Sequence, residues 1–200
     1  MAMTENQTRG DRVDRLARAL TEVGAPWVLN IVSSLFLGVY LEATAWGIFV
    51  AMISGGLPMA FILFEIWRSR IGDHHVTEHR ERHLLIVVIL AIVLAGLVIQ
   101  ICANAPAELI AFTAAGFATL LAIGIITSVV RWKVSVHTAV SAGITVILML
   151  AVSPIWVLAL ACTPAIGWSR VRLGDHTTGQ VIVGAFVGSV IAGGTYTLFT

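Results

Sequence analysis

Long apolar blocks separated by short polar turns set the pattern of this chain from residue 26 to its end. The blocks cover about 26–41, 46–66, 84–103, 107–130, 135–152, 155–168 and 179–198. Most approach the roughly 20 residues that a helix needs to cross a hydrocarbon core about 30 Å thick. Backbone groups inside lipid must satisfy one another, so each block is predicted to be a helix. Pro58 marks an expected kink in the second block, and Ser153-Pro154 an expected tight joint between the fifth and sixth. The predicted fold is an all-α, polytopic transmembrane bundle of about six to seven spans.

The first 25 residues follow another pattern. Val13, Leu16, Leu20 and Val23 recur at spacings of three and four, while Arg12, Arg15 and Arg18 take other faces. This predicts a short amphipathic helix over 11–23 lying at the membrane surface, with 1–10 disordered. No apolar core with a small-residue cleavage site precedes the first block, so no cleavable signal peptide is expected. The expected organisation is a polar N-terminal segment over 1–25 and one transmembrane domain over 26–200.

Composition agrees with a membrane location. Hydrophobic residues make up 58% of the chain and charged residues 12%, against about 25% charged in soluble domains. The net charge of +1 gives no sign of nucleic-acid binding. Cys102 and Cys162 both fall in apolar blocks, where packing is the expected role; they are too few for a disulfide framework or a thiolate metal site.

The distribution of charge adds a topology. All 12 Lys and Arg residues precede the first block or follow the second, fourth and sixth. The opposite turns hold Glu42 and Glu108 and no basic residue. A seven-span reading places every cation on one face, which the positive-inside rule makes cytoplasmic, with the N-terminus on the same side. The 6 histidines, His74, His75, His79, His83, His137 and His176, lie in or beside the same three turns. Those turns are therefore expected to converge on one polar, cytoplasmic site. Arg68, Arg70 and Arg172 are expected to be topology anchors at lipid head groups.

The inventory of that site is Arg, Lys, Ser and His with few opposing carboxylates. Guanidinium offers planar paired donors to phosphate oxygens, ammonium a point charge and hydroxyl a further donor. Of two imidazoles on separate turns, His137 and His176, one can attack phosphorus while the other protonates the leaving oxygen. Cations in place of Mg²⁺ would neutralise the transition state, so no cofactor is expected. His74, His75 and His79 lack companion Cys or paired carboxylates at ligand spacing, and a solvated, partly protonated turn is expected there instead of a metal site.

The stretch SRVRLGDHTTGQ, 169–180, resembles the third signature of the type-2 phosphatidic acid phosphatase superfamily: Ser-Arg, five residues, His, three residues, Asp. KVSVH, 133–137, resembles its second signature, Pro-Ser-Gly-His, and HHVTEHRERH, 74–83, its first, Lys, six residues, Arg-Pro. The resemblance implies His176 as the nucleophile that forms a phosphohistidine and His137 as the general acid. It implies a phosphate cradle of Arg82, Ser135 and Arg170, with Ser169, Lys133 and His75 beside them. Gln180 stands where the family has the Asp that orients the nucleophile; it can accept a hydrogen bond from the ring but offers no charge. Val134 and Val136 replace the Pro and Gly of the second signature, and His75 and His83 replace the Lys and Pro of the first.

The implied activity is hydrolysis of lipid or isoprenoid mono- or diphosphates by an integral membrane phosphatase that needs no metal. The alternative is a diverged member that binds or ionises a prenyl diphosphate without ordinary hydrolysis, or a catalytically weak lipid-phosphate-binding protein. The expected partners are the bilayer and the lipid substrate. Gly184, Gly188, Gly193 and Gly194 are expected to permit close helix packing.

Overall fold

A computed structural model of the protein describes residues 5–69 and 78–200, excluding the side chains of 5–9, 69 and 78–84. Every regular element among the described residues is helical. Helix α1 spans Glu5–Val23, α2 Pro26–Tyr40, α3 Thr44–Ala51, α4 Leu57–Ser69 and α5 Glu78–Cys102. Helices α6 (Ala107–Val129), α7 (Val136–Ala151), α8 (Cys162–Arg172) and α9 (Thr178–Phe199) complete the chain. A π turn over Met52–Gly56 joins α3 to α4, and a 3₁₀ helix over Pro154–Ala161 leads into α8.

Among the described residues, four helices are long and apolar enough to cross a membrane: Thr44–Arg68, Leu85–Cys102, Ala107–Val129 and Thr178–Phe199. A fifth span results if Gly10–Val23 and Pro26–Tyr40, which meet at a bend of 46°, act as one. The six to seven spans expected from hydropathy thus become four or five by length and composition. Helices α2 and α7 have only 15 and 16 residues, and the 155–168 block divides at Ala161 into 3₁₀ and α-helical parts. Large apolar side chains such as Val32, Val87, Ile125 and Phe186 face outward. A protein that exposes so much apolar surface belongs in a bilayer.

Residues Glu5 to Gly10, expected to be disordered, form the first turns of α1. That helix packs along α8. The Thr21 hydroxyl meets that of Ser169 at 3.0 Å, and Arg172 donates to Asp14 at 2.9 Å. Arg172 thus pairs with Asp14 while much of its side chain stays exposed. The two cysteines, expected in packing roles, are exposed on the outer surface.

The kink expected at Pro58 takes the form of the π turn. Proline has no N–H for the preceding turn, and the widened ring lets Leu57 N–H reach Met52 carbonyl. The Ser54 hydroxyl donates to the Val50 carbonyl at 2.6 Å in the same stretch.

The most extensive helix contact joins α7 and α9, which run parallel because the 3₁₀ helix and α8 carry the chain back between them. Small residues set their separation. A Cβ on Gly188 would collide with Ala139 backbone, and one on Gly184 would sit 2.5 Å from Ser135 carbonyl oxygen. Gly193 is similarly close to Val146, whereas Gly194 has open space. Beneath this seam, Leu37, Val50, Leu109, Phe112, Ile147 and Leu148 form the main apolar core with Ala192 and Tyr196. Buried polar groups pair across helices, Ser141 with Thr163 at 2.8 Å and Gln100 with Thr113 at 2.9 Å. Such bonds contribute about 0.6 kcal/mol each within membranes, less than the cost of overpacking a tight seam.

The substitution Gly188→Ala is expected to destabilise the protein by about 1–3 kcal/mol, because rigid backbone opposes the added methyl. Gly194→Ala should stay within about 0.5 kcal/mol of the unsubstituted protein. Reversible unfolding in mixed detergent micelles measures both.

Candidate functional site

Hydrogen bonds at the seam bring the starts of α7 and α9 together. Ser135 N–H donates to the Gln180 carbonyl at 3.2 Å, and the Thr138 hydroxyl donates to the Val181 carbonyl at 2.9 Å. His137, in the first turn of α7, is thereby set near His176, which precedes α9 by two residues. Both imidazoles line one cleft of about 1000 Å³, together with Arg131, Lys133 and Arg170. Pro26, Ile86, Leu120, Ile123 and Val136 supply its apolar wall. No carboxylate lines it among the described residues.

The end of α8 gives the site its guanidinium. Ser169, Arg170 and Arg172 belong to the last turn of α8, not to a loop. The helix stops at Gly174, whose φ of +75° suits glycine, and the next two amides, of Asp175 and His176, fold back to the Arg170 carbonyl. This reversal puts Asp175 Oδ2 at 3.1 Å from Arg170 Nη1. Arg170 Nε is buried and has no hydrogen-bond partner among the described residues. A buried N–H without an acceptor is costly, and the part of Arg170 that lines the cleft is what an anion there would meet. Lys133 Nζ donates to the Asp175 carbonyl at 2.9 Å, tying the turn before α7 to the turn before α9.

Gln180 fixes the state of His176. Its Oε1 accepts from Thr177 N–H at 3.1 Å, while Thr177 Oγ1 accepts from Gln180 N–H at 3.4 Å. This capping box identifies Oε1 as the amide oxygen, since a backbone N–H needs an acceptor. The same oxygen lies 3.2 Å from His176 Nδ1. Because it can only accept, Nδ1 carries the ring proton in neutral His176 and Nε2 keeps its lone pair. Partial burial pushes the His176 pKa below its ordinary value, with Lys133 and Arg170 adding to the effect; the Gln180 bond and Asp175 oppose it.

The expected residues thus divide. His137, His176, Arg170 and Lys133 line one cleft, and Gln180 contacts His176. Ser135 and Ser169 lie fully buried outside its lining. The Ser135 hydroxyl caps α7 by accepting from Thr138 N–H. The Ser169 hydroxyl donates to the Ile166 carbonyl at 2.7 Å and faces Thr21. Both hydroxyls make local contacts. His75 and the Arg82 side chain, like His74, His79 and His83, lie outside the described side chains. Among the described residues no three His, Cys, Asp or Glu side chains group as a metal site. Arg131 is a lining residue that sequence reasoning counted only for topology; its φ of +54°, unusual for a residue with a Cβ, accompanies the sharp turn out of α6. Its place two residues before Lys133 was the available signal.

The cleft has a second neighbour. An apolar cavity of about 470 Å³ lies deeper in the bundle, and His137 and Arg170 line both spaces. No family model, curated protein or solved structure matches the chain.

Gln180→Glu keeps the reach of the side chain and adds the missing charge. It should raise the His176 pKa, because a carboxylate beside the ring favours the imidazolium. Histidine NMR titration measures the change, and an unmoved His176 would contradict the contact.

Proposed function

We propose that this chain is an integral membrane phosphatase that hydrolyses lipid or isoprenoid phosphates at a metal-independent, two-histidine site. The observation that carries the reading is the shared wall: His137 and Arg170 stand between a cationic cleft and an apolar cavity. A ligand with an anionic head and a hydrocarbon tail matches both spaces.

In this reading the phosphate lies against Arg170, Arg131 and Lys133. His176 Nε2 attacks phosphorus, forming an N–P bond as the bond from phosphorus to the lipid oxygen breaks. His137 gives that oxygen its proton, and the cations hold the charge on the three remaining phosphoryl oxygens. The transfer requires a protonated His137, a form that burial and the neighbouring Arg170 disfavour and that the phosphate's negative charge favours. Water then attacks the phosphohistidine, losing its proton to His137 and releasing inorganic phosphate. His176 is freed and His137 is again an acid. Gln180 holds the nucleophile's tautomer throughout.

The resemblance to the type-2 phosphatidic acid phosphatases supports these assignments at Arg170, His137 and His176. The cleft would face the cytoplasm by the positive-inside rule, with α1 at the interface beside it. The neutral Gln180 favours a second reading, since a His176 without a carboxylate partner makes a weaker nucleophile. That reading is a diverged protein that binds or ionises a prenyl diphosphate.

Purified protein in detergent with EDTA is expected to release inorganic phosphate from lipid phosphates. His176→Ala should lower the rate by on the order of a thousandfold or more. His137→Ala should lower kcat/KM about a hundredfold or more with a lipid alkoxide leaving group and much less with p-nitrophenyl phosphate, while kcat falls with both because water activation is lost. The acid limb of kcat/KM should fall below about pH 6.5, because the neutral form of His176 persists there. Release of pyrophosphate with hydrocarbon products, in place of phosphate, would establish the second reading.

A further inference from the structure

The apolar cavity permits a narrower statement about the substrate, one that rests on the proposed phosphate chemistry. Cavity and cleft share six residues: Pro26, Leu120, Ile123, Val136, His137 and Arg170. A head group at Arg170 therefore has hydrocarbon-lined space directly behind it. Several polar side chains in the cavity wall are turned onto nearby backbone, while Glu22 and the Thr119 hydroxyl, the latter unpartnered among the described residues, also line it. Asn30 donates to Pro26 carbonyl at 2.8 Å, Ser54 to Val50 carbonyl at 2.6 Å and Thr113 to Leu109 carbonyl at 3.0 Å. What they leave facing inward is mostly apolar, as a hydrocarbon tail requires.

Size sets the number of chains. At about 30 Å³ for each water-sized group, 470 Å³ holds roughly fifteen chain carbons. Two long acyl chains overfill it. Gly116 of α6 lies in the cavity wall, and a Cβ built there meets no atom within 4 Å. Its missing side chain is not required by neighbouring helices, in contrast with Gly184 and Gly188. The helix itself would be more stable with almost any other residue at this position.

We propose that the substrate is a one-tailed lipid phosphate whose single chain, isoprenyl or acyl, fills this cavity, with Gly116 as the specificity-determining residue that leaves room for it. A bulky side chain at Gly116 competes with the tail and leaves the cationic cleft untouched.

The test uses full-length protein in detergent and three photoreactive probes carrying a diazirine in the tail: farnesyl phosphate, hexadecyl phosphate and a two-chain phosphatidic acid. After irradiation, peptide mapping is expected to find both or either of the single-chain probes on cavity residues such as Met59, Ile89 and Leu120. Stronger labelling by the farnesyl probe assigns an isoprenoid tail, and stronger labelling by the hexadecyl probe an acyl one. Gly116→Phe should cut cavity labelling about tenfold. It should also lower kcat/KM for the single-chain phosphates at least tenfold relative to tail-less p-nitrophenyl phosphate. Labelling confined to outward-facing residues such as Val87 and Ile125 would overturn the proposal, as would equal cavity labelling by the two-chain probe. So would labelling undiminished by Gly116→Phe. If that variant does not fold, the map on the unsubstituted protein decides. Cavity labelling without any phosphate release would sink the hydrolytic reading and leave the tail site standing.

Discussion

The close parallel approach of α7 and α9 governs the rest of this molecule. Two parallel helices present their positive ends side by side, each equivalent to about half an elementary charge. Such an arrangement is repulsive and needs both a tight seam and compensation. Gly184 and Gly188 provide the seam, since any Cβ there would meet the backbone of α7. The Ser135 amide and Thr138 hydroxyl then lock the two helix starts in register. His137 and His176 owe their shared cleft to this contact.

Compensation at those positive ends comes only in part from the protein. Asp175 pairs with Arg170 at its edge, but Arg131, Lys133 and Arg170 add further positive charge to the cleft itself. A bound phosphate would balance the helix ends and the cations together. The apolar cavity on the far side of His137 extends the same logic to the hydrocarbon part of the ligand. Helix α1, held to α8 by Asp14 and Thr21, closes over the outer side of the residues next to Arg170.

Much of this was legible in the chain. Hydropathy located the helices because lipid forces each apolar block to satisfy its own backbone, and the cations and histidines of the turns after the fourth and sixth blocks do share one cleft. The spacing of Arg170, His176 and Gln180 anticipated groups that do meet. Hydropathy cannot see helix breaks that depend on packing, so the 155–168 block reads as one span although it changes helix type at Ala161. Ser135 and Ser169 look like phosphate ligands in sequence, yet a hydroxyl at a helix start or next to another helix can equally serve the fold, and here both do. Docking of α1 was hidden for a similar reason: Asp14 and Thr21 find Arg172 and Ser169 only in three dimensions.

The central claim, that His176 takes a phosphoryl group while His137 serves the oxygens on either side of the reaction, has a direct chemical test. His137→Ala protein would be mixed with labelled p-nitrophenyl phosphate, whose leaving group needs no acid, and quenched in alkali. With water activation impaired, an acid-labile, base-stable phosphoryl group should accumulate on the peptide containing His176. Inorganic phosphate released at a steady rate with no label on His176, or with the label on another residue, would contradict the account.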